Sequence, residues 1–467
     1  MNFLKPSAEP SSWKKSFLWL VLAVACFHAA YTSIKFPLLG LLIFGYAYFL
    51  VQLTNQPTVR RAFYFGLATG FLCAAPQLLF FWNIFGPAAI VLWLVFAFWV
   101  GLFTAISYGC ARRWGKIKAA WLIPFIWTGL EYFRSELYYF KFSWLNIGYA
   151  LSASQILSFG FWGMYGVGFL AFAIATVLFT LRPRSALAIV SVIVVLFLID
   201  DSITLAKKPL PKVSIVGIQM EFPPENGIPK ILNKALAENT NAPIFVLSEY
   251  TLDGPVPDSL KNWCREHSRY LVVGGKDPVG TNNFYDTAFV IGTNGEIIFK
   301  QAKSVPIQFF KDGLPALKQE VWNSPWGKIG ICICYDLSYR RVTDRLVEEG
   351  AQLFIVPTMD VEDWGRHEHK LHSRVAPVRA AEYGIPIFRV ASSGISQAVT
   401  ESGIVISQTS IPGVAEIFSA QLRLPMRCSL PLDRFIAPFC VGTTGVVLIV
   451  LLILAWKDRR TKPKIDS

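Results

Sequence analysis

Two kinds of apolar pattern run along this chain, and the change from one to the other divides it. Up to about residue 201 the apolar residues come in blocks of roughly 20, the length a helix needs to cross a hydrocarbon layer. Such blocks fall at 16–33, 35–53, 63–84, 87–110, 119–134, 156–181 and 185–201, with one more at 434–455. They predict about eight transmembrane helices, seven before a long polar middle and one after it. From 212 to 430 the pattern shortens. Brief apolar runs recur at 213–219, 243–249, 270–275, 287–292, 296–300, 328–334, 351–357 and 385–392. Helical stretches lie between some of them, at 258–269, 338–350 and 370–384. Strands that are apolar throughout and alternate with helices predict a sheet covered by helices. Asn294-Gly295 is a hairpin turn signal, so the sheet is mixed. The expected organisation is a membrane bundle over 1–205, an α/β domain over 206–433, and a last span with a basic tail over 434–467.

Composition agrees with a membrane protein: 53% of residues are hydrophobic and 16% charged, with 37 Phe and 15 Trp. The formal charge of +13 calls for no nucleic acid, because the basic residues sit at block ends. Lys14 and Lys15 precede the first block, Arg60 and Arg61 follow the second, and Arg112, Arg113, Lys116 and Lys118 follow the fourth. Arg182 and Arg184 follow the sixth, and Lys457, Arg459, Arg460, Lys462 and Lys464 follow the last. With a cytoplasmic N-terminus, each cluster falls on the cytoplasmic side and the polar middle lies outside. The first block is expected to stay as an anchor rather than be cleaved as a signal peptide, since a second block follows almost at once. The eight cysteines have neither disulfide-framework nor metal-type spacing.

Three fragments of the polar middle carry candidate chemistry. Glu249 ends the run FVLSE, Lys303 follows the run EIIFK, and Cys334 ends GICIC. A thiol at the turn between a strand and a helix is exposed at the sheet edge, where a helix N-terminus favours thiolate. A carboxylate could take its proton, and an ammonium could stabilise an oxyanion. Spacing alone leaves Lys300 as a competitor for Lys303.

These residues resemble the nitrilase superfamily of carbon–nitrogen hydrolases, whose Glu, Lys and Cys come in this order. The chain with its apolar blocks resembles the apolipoprotein N-acyltransferase family. Lys303-Ser304-Val305-Pro306-Ile307-Gln308-Phe309 matches the family's Lys-x-x-Leu-Val-Pro-Phe segment, and Ile333-Cys334-Tyr335-Asp336 its Ile-Cys-Tyr-Glu. Phe142 to Tyr149, containing Trp144, resembles a Trp-Leu-x-x-Gly-Tyr segment. Arg379-Ala380-Ala381-Glu382 and the segment from Arg389 through Ser392 to Ser396 resemble two later ones. The resemblance implies an α-β-β-α sandwich and Glu249, Lys303 and Cys334 as catalytic residues. It implies supporting or substrate-binding roles for Tyr335, Asp336, Trp364, Arg379, Glu382, Ser392 and Trp144. Where the family has a functional Glu after Pro-Phe-Gly, this register has Phe310-Lys311, a reversal that would strip the lysine of acidic support. Asp336 stands for a Glu, and Met359-Asp360-Val361-Glu362-Asp363-Trp364-Gly365 for Asn-Asp-x-x-Trp-Phe.

Two further polar groups stand out. His367, His369 and His372 lie near Asp360, Glu362 and Asp363. They are read as a loop or helix start over the site rather than a metal centre, because the spacing fits no zinc motif. Glu131 and Arg134, three apart on one helix, are placed to pair at the membrane interface. The aromatic stretch from Tyr132 to Trp144 reads as an interfacial belt.

The expected activity is acyl transfer at the outer face of a bacterial inner membrane, with no cofactor and no metal. A phospholipid donates, a cysteine thioester carries the acyl chain, and the N-terminal amine of a diacylated prolipoprotein accepts it. The chain is expected to act as a monomer. A membrane-tethered amidase and an inactive lipoprotein-binding relative are the alternatives.

Overall fold

The structure is a computed structural model that describes residues 9–32, 36–153, 159–198, 211–410, 413–426 and 428–460. It divides into a helical unit and an α/β unit, the latter within Asp201–Pro431.

Each apolar block of the helical unit yields a helix. The main ones are Trp13–Tyr31, Leu42–Leu53, Val59–Gln77, Ala89–Trp114, Ile123–Tyr132, Phe159–Thr180, Pro183–Leu198 and Asp433–Arg460. Among the described residues, three stretches are long and apolar enough to cross a membrane by length and composition: Phe80–Trp114, Phe159–Thr180 and Asp433–Asp458. The others expected to span fall short for local reasons. Trp13–Tyr31 and Val59–Gln77 hold Lys14, Lys15 and Arg60, Arg61 in their first turns, and Pro37–Leu53 and Pro183–Val195 are shorter than the 18 residues required. Ile123–Tyr132 passes into a π turn at Phe133–Leu137. Packing within the unit uses the devices of membrane bundles. Thr104 donates to the Ala62 carbonyl of a neighbouring helix (2.8 Å), and Trp127 stacks on Phe172 (4.3 Å). Glu131 and Arg134 take different partners: the Ile147 N–H donates to Glu131 Oε1 (2.9 Å) and Arg134 donates to Asn146 Oδ1. Both therefore clamp the 142–149 segment, where burial leaves backbone groups without water.

Among the described residues the α/β unit holds twelve strands: β1 Lys212–Gln219, β2 Ile244–Leu247, β3 Tyr270–Val279, β4 Asn283–Ile291, β5 Ile297–Ala302, β6 Val321–Ser324, β7 Gly327–Ile331, β8 Leu353–Thr358, β9 Ile387–Ala391, β10 Gln397–Val399, β11 Val405–Gln408 and β12 Glu416–Arg423. They form two six-stranded sheets, ordered β12-β1-β2-β3-β4-β5 and β11-β10-β9-β8-β7-β6. The parallel pairs lie at the sheet centres, β1–β2–β3 in one and β7–β8–β9 in the other, with antiparallel strands outside them. Asn294-Gly295 makes the β4–β5 turn, with Gly295 at φ 79°.

Period-two alternation splits each central strand between two cores. Ile215, Ile244, Val246 and Val272 face Ile329, Ile331, Leu353, Ile355 and Phe388 between the sheets. Phe245, Leu247, Leu271 and Val273 face the other way, onto helices Ile228–Glu238 and Asp258–His267. The second sheet is covered by Arg340–Glu348 and Val375–Tyr383, with Phe354 against Tyr383 (6.4 Å). The architecture is helix–sheet–sheet–helix. β6, β10, β11 and β12 had no counterpart among the expected strands. β10 has three residues, and β6, β11 and β12 are edge or near-edge strands whose alternating exposure breaks the apolar run.

Candidate active site

Chain direction in the two central parallel trios brings several strand ends together. Glu249 follows β2, Lys303 follows β5, Cys334 follows β7, and Met359 and Asp360 follow β8. Strand C-termini are where α/β sheets gather functional groups. Gly274 on β3 permits the first of these placements, since a Cβ there would stand 2.6 Å from Glu249 Cα.

Cys334 opens a 3₁₀ turn, Cys334–Ser338, with φ at +52°. A non-glycine residue in that region costs ~1–2 kcal/mol and persists only where its surroundings over-determine it. Asp336 supplies that constraint. Its carboxylate accepts from the N–H groups of Ser304 (2.9 Å), Val305 (2.7 Å) and Ile333 (3.3 Å), so it ties the loop after Lys303 to the turn bearing Cys334. Burial pushes its pKa up to about 6, against the pull of those donors and of Lys303. Arg379 braces the same turn, donating to the carbonyls of Leu337 (3.1 Å) and Ser338 (2.7 Å) while paired with Glu382.

Lys303 is fully buried and its Nζ lies 2.7 Å from Glu249 Oε1, 2.8 Å from Asp312 Oδ2 and 3.5 Å from Asp286 Oδ2. Lys300 instead pairs with Asp277 at the surface (2.8 Å). The expected loss of acidic support through Lys311 is corrected here. Lys311 is exposed, and the next residue, Asp312, turns inward onto the lysine. Asp312 is fixed by the Ile307 N–H (2.6 Å) and the Tyr250 hydroxyl (2.8 Å). Burial alone would deprotonate Lys303, but the surrounding carboxylates more than reverse this and hold its pKa well above the ordinary range.

Glu249 Oε2 accepts from the Met359 N–H (2.5 Å), and its charge acts on the neighbouring Cys334 thiol. Burial works against its charge, yet Lys303 keeps it below the usual carboxylate range. Asp286 goes the other way: burial and the neighbouring Glu249 charge push its pKa well above the ordinary carboxylate range. Cys334 is 2% exposed, and its thiol also contacts the Met359 carbonyl (3.7 Å). Burial and Glu249 raise its pKa well above a free thiol's, Lys303 opposing. The resting cluster is thus a neutral thiol beside an ionised carboxylate and an ammonium. That set can move a proton from sulfur to carboxylate when an electrophile arrives.

A cleft of about 470 Å³ reaches this cluster at Met359 and Asp312, its other walls including Phe222, Tyr250, Lys276 and Phe310. Trp364 stands near it, its ring 6.1 Å from Phe310. Tyr335 packs on Tyr339 (5.0 Å) and beside His372 (6.3 Å). Ser392 Oγ donates to the Asp360 carbonyl and accepts from its N–H, both at 3.0 Å. Trp144 belongs to the helical unit, against Phe80 (5.2 Å) and Phe81 (6.2 Å). Sequence reasoning missed Asp286 and Asp312. A lone acid within the apolar run NFYDTAFVI, and an acid one step past the expected register, were the available signals. Glu249, Asp286 and Asp312 could ligate a metal by proximity, but the ammonium of Lys303 already fills the space between them.

The carbon-nitrogen hydrolase family model matches residues 199–426, and the model of the apolipoprotein N-acyltransferase N-terminal domain matches residues 21–177. An apolipoprotein N-acyltransferase of Geobacter metallireducens is 22% identical over 446 residues, covering 81% of this chain and 85% of that one. One from Haemophilus ducreyi is 21% identical over 370 residues, 68% and 72% of the two chains. An omega-amidase of Xenopus laevis is 28% identical over 137 residues, 26% of this chain and half of that one.

Proposed function

We propose, from the premise that the chain belongs to the apolipoprotein N-acyltransferase family of the nitrilase superfamily, that it acylates lipoproteins through a thioester on Cys334. The observation that carries this reading is the buried set in which Glu249 holds Lys303 and the Met359 N–H while the Cys334 thiol rests on the Met359 carbonyl. Glu249 takes the thiol proton as sulfur attacks an acyl ester of a phospholipid. Lys303 stabilises the negative charge on the tetrahedral oxygen, a contribution of about 10²–10³ in rate for such donors. Glu249 then protonates the departing lysophospholipid. The amine of a diacylglyceryl-cysteine then attacks the thioester; its nitrogen–carbon bond forms as the carbon–sulfur bond breaks, and Glu249 takes the amine proton and returns it to the departing thiolate, leaving an amide and the free thiol. Tyr335, Asp336, Arg379, Glu382 and Ser392 support the turn and loops, and Trp364 and Trp144 bind substrate. Phe222 and Phe310 give the cleft an apolar rim suited to an acyl chain. The enzyme works on the outer face of a bacterial inner membrane, as a multi-pass monomer.

The test is intact mass of the full-length protein after incubation with phospholipid. An added acyl mass, lost in C334A, is the expected result; no added mass with active lipid present rejects the thioester. The similarity to an omega-amidase favours one other reading, a tethered amidase. That reading predicts amide hydrolysis without any acyl mass from phospholipid.

A further inference from the structure

Both backbone groups of Met359 face the reacting cluster. Its N–H donates to Glu249 Oε2 (2.5 Å), and its carbonyl accepts from the Cys334 thiol (3.7 Å). Met359 lies past Thr358, the last paired residue of β8, so the strand ladder does not fix those groups. The next residue, Asp360, does. A trans peptide is planar, so holding the Asp360 N–H also aims the Met359 carbonyl. That N–H donates to Ser392 Oγ, and the Asp360 carbonyl accepts from Ser392 Oγ (3.0 Å each) and from the Ser393 N–H (2.9 Å). The side chain is pinned as well. Oδ2 accepts from Arg389 (2.5 Å), which also donates to the Ile395 carbonyl, and Oδ1 accepts from His372 Nδ1 (2.7 Å). Gly394 leaves room for the carboxylate, since a Cβ there would overlap it.

Asp360 also acts on the sulfur through its charge. Burial opposes ionisation of the carboxyl, but Arg389 and then His372 overcome it and hold Asp360 below the ordinary carboxylate range. Cys334 Sγ, an Asp360 oxygen and a His372 nitrogen lie within 4.8 Å of one another. The groups facing the sulfur are Glu249 after β2, Lys303 after β5, Asp360 after β8 and the ring of His372 on helix Arg366–His372. A negative charge at that range disfavours a second one on sulfur. Burial, then Glu249 and Asp360, keep the thiol protonated against the pull of Lys303.

We propose that Asp360 is a positioning residue of the acyl-transfer site: it sets the Met359 peptide so that Glu249 and the thiol are held for reaction, and its charge keeps the proton on sulfur until an acyl carbonyl arrives. This rests on the acyl-transfer reading above. Glu249 remains the base in both halves of the cycle, and Asp360 exchanges no proton. The thiolate is the reactive form of cysteine, so a thiol kept protonated between turnovers is spared side reactions.

The test uses the full-length protein in detergent and two measurements. One is acyl-enzyme formation from a phospholipid with a labelled acyl chain. The other is the pH profile of iodoacetamide alkylation, read at Cys334 by peptide mass. D360N removes the charge and leaves one acceptor oxygen for Arg389 and His372 to share. Its acyl-enzyme formation is expected to fall on the order of 10²-fold, the cost of misplacing reacting groups by ~1 Å. Its alkylation midpoint should move down by about one pH unit. S392A frees the Met359–Asp360 peptide but keeps the charge, so acylation should fall about tenfold while the alkylation profile stays in place. Wild-type acylation in both variants overturns the proposal. So does a D360N loss that comes with a lower melting temperature and an unmoved alkylation profile. Should D360N not fold, S392A decides: slower acylation at an unchanged melting temperature supports the proposal, and wild-type acylation rejects it. If the wild type takes no label, the acyl-transfer reading fails on its own. The alkylation profile of D360N then tests the action of Asp360 at the sulfur: a displaced profile supports it, and a superimposed one refutes it.

Discussion

On the acyl-transfer proposal, Glu249 decides how this thiol reacts. The carboxylate is held ionised below its ordinary range, and the thiol is held protonated above its own. A group with a depressed pKa keeps its charge above the usual value and loses it only as pH falls through the lower one. Acylation of Cys334 should therefore be flat between about pH 5 and 8, its acid limb lying below ~4. In E249Q only preformed thiolate reacts, so the measured rate should fall by 10²–10⁴-fold at about pH 7 and climb roughly tenfold per pH unit. K303M should do more than remove an oxyanion donor. It leaves Glu249, Asp286 and Asp312 buried without their cation, so melting should show a loss of about 3–5 kcal/mol with acylation abolished. Glu249 and Cys334 were legible in sequence because apolar runs end on them, and the family-like segment pointed to Lys303. The lysine's acidic support was not, because Asp286 and Asp312 become its neighbours only through strand pairing and a loop turn. Counting along the chain put Lys311 where the fold puts Asp312.

Among elements, the 3₁₀ turn after β7 is tied to the Lys303 loop by one carboxylate. Asp336 caps three N–H groups from two segments, so D336A leaves buried donors unpaired at about 1–3 kcal/mol each. The expected outcome is a lower melting temperature together with slower acyl-enzyme formation, since the same bonds set the Lys303 loop against Cys334. The central strands could be read from sequence because both of their faces are buried. The edges could not: β11 alternates exposed and half-buried positions, and β12 pairs antiparallel with β1 from two hundred residues away.

For the whole molecule, charge placement predicts sidedness. Asn282 sits at the exposed β3–β4 turn and Lys457 near the exposed end of the last helix. A membrane-impermeant maleimide should label N282C in intact spheroplasts and K457C only after permeabilisation. Labelling of K457C alone would reverse the topology, and labelling of both would rule out a last helix that crosses the membrane. Helix lengths could not supply this orientation, since among the described residues three stretches are long and apolar enough to cross a membrane; the Lys and Arg clusters carry it.

Phe388 of one sheet lies flat on Phe418 of the other, 4.8 Å apart and 6° from parallel. Glu249 and Lys303 hang from one layer and Cys334 from the other. On the acyl-transfer proposal neither layer alone holds a working set, so alignment between them would itself govern the reaction. Heating, or a bulky substitution at that aromatic seam, should silence turnover while each layer still keeps its strands.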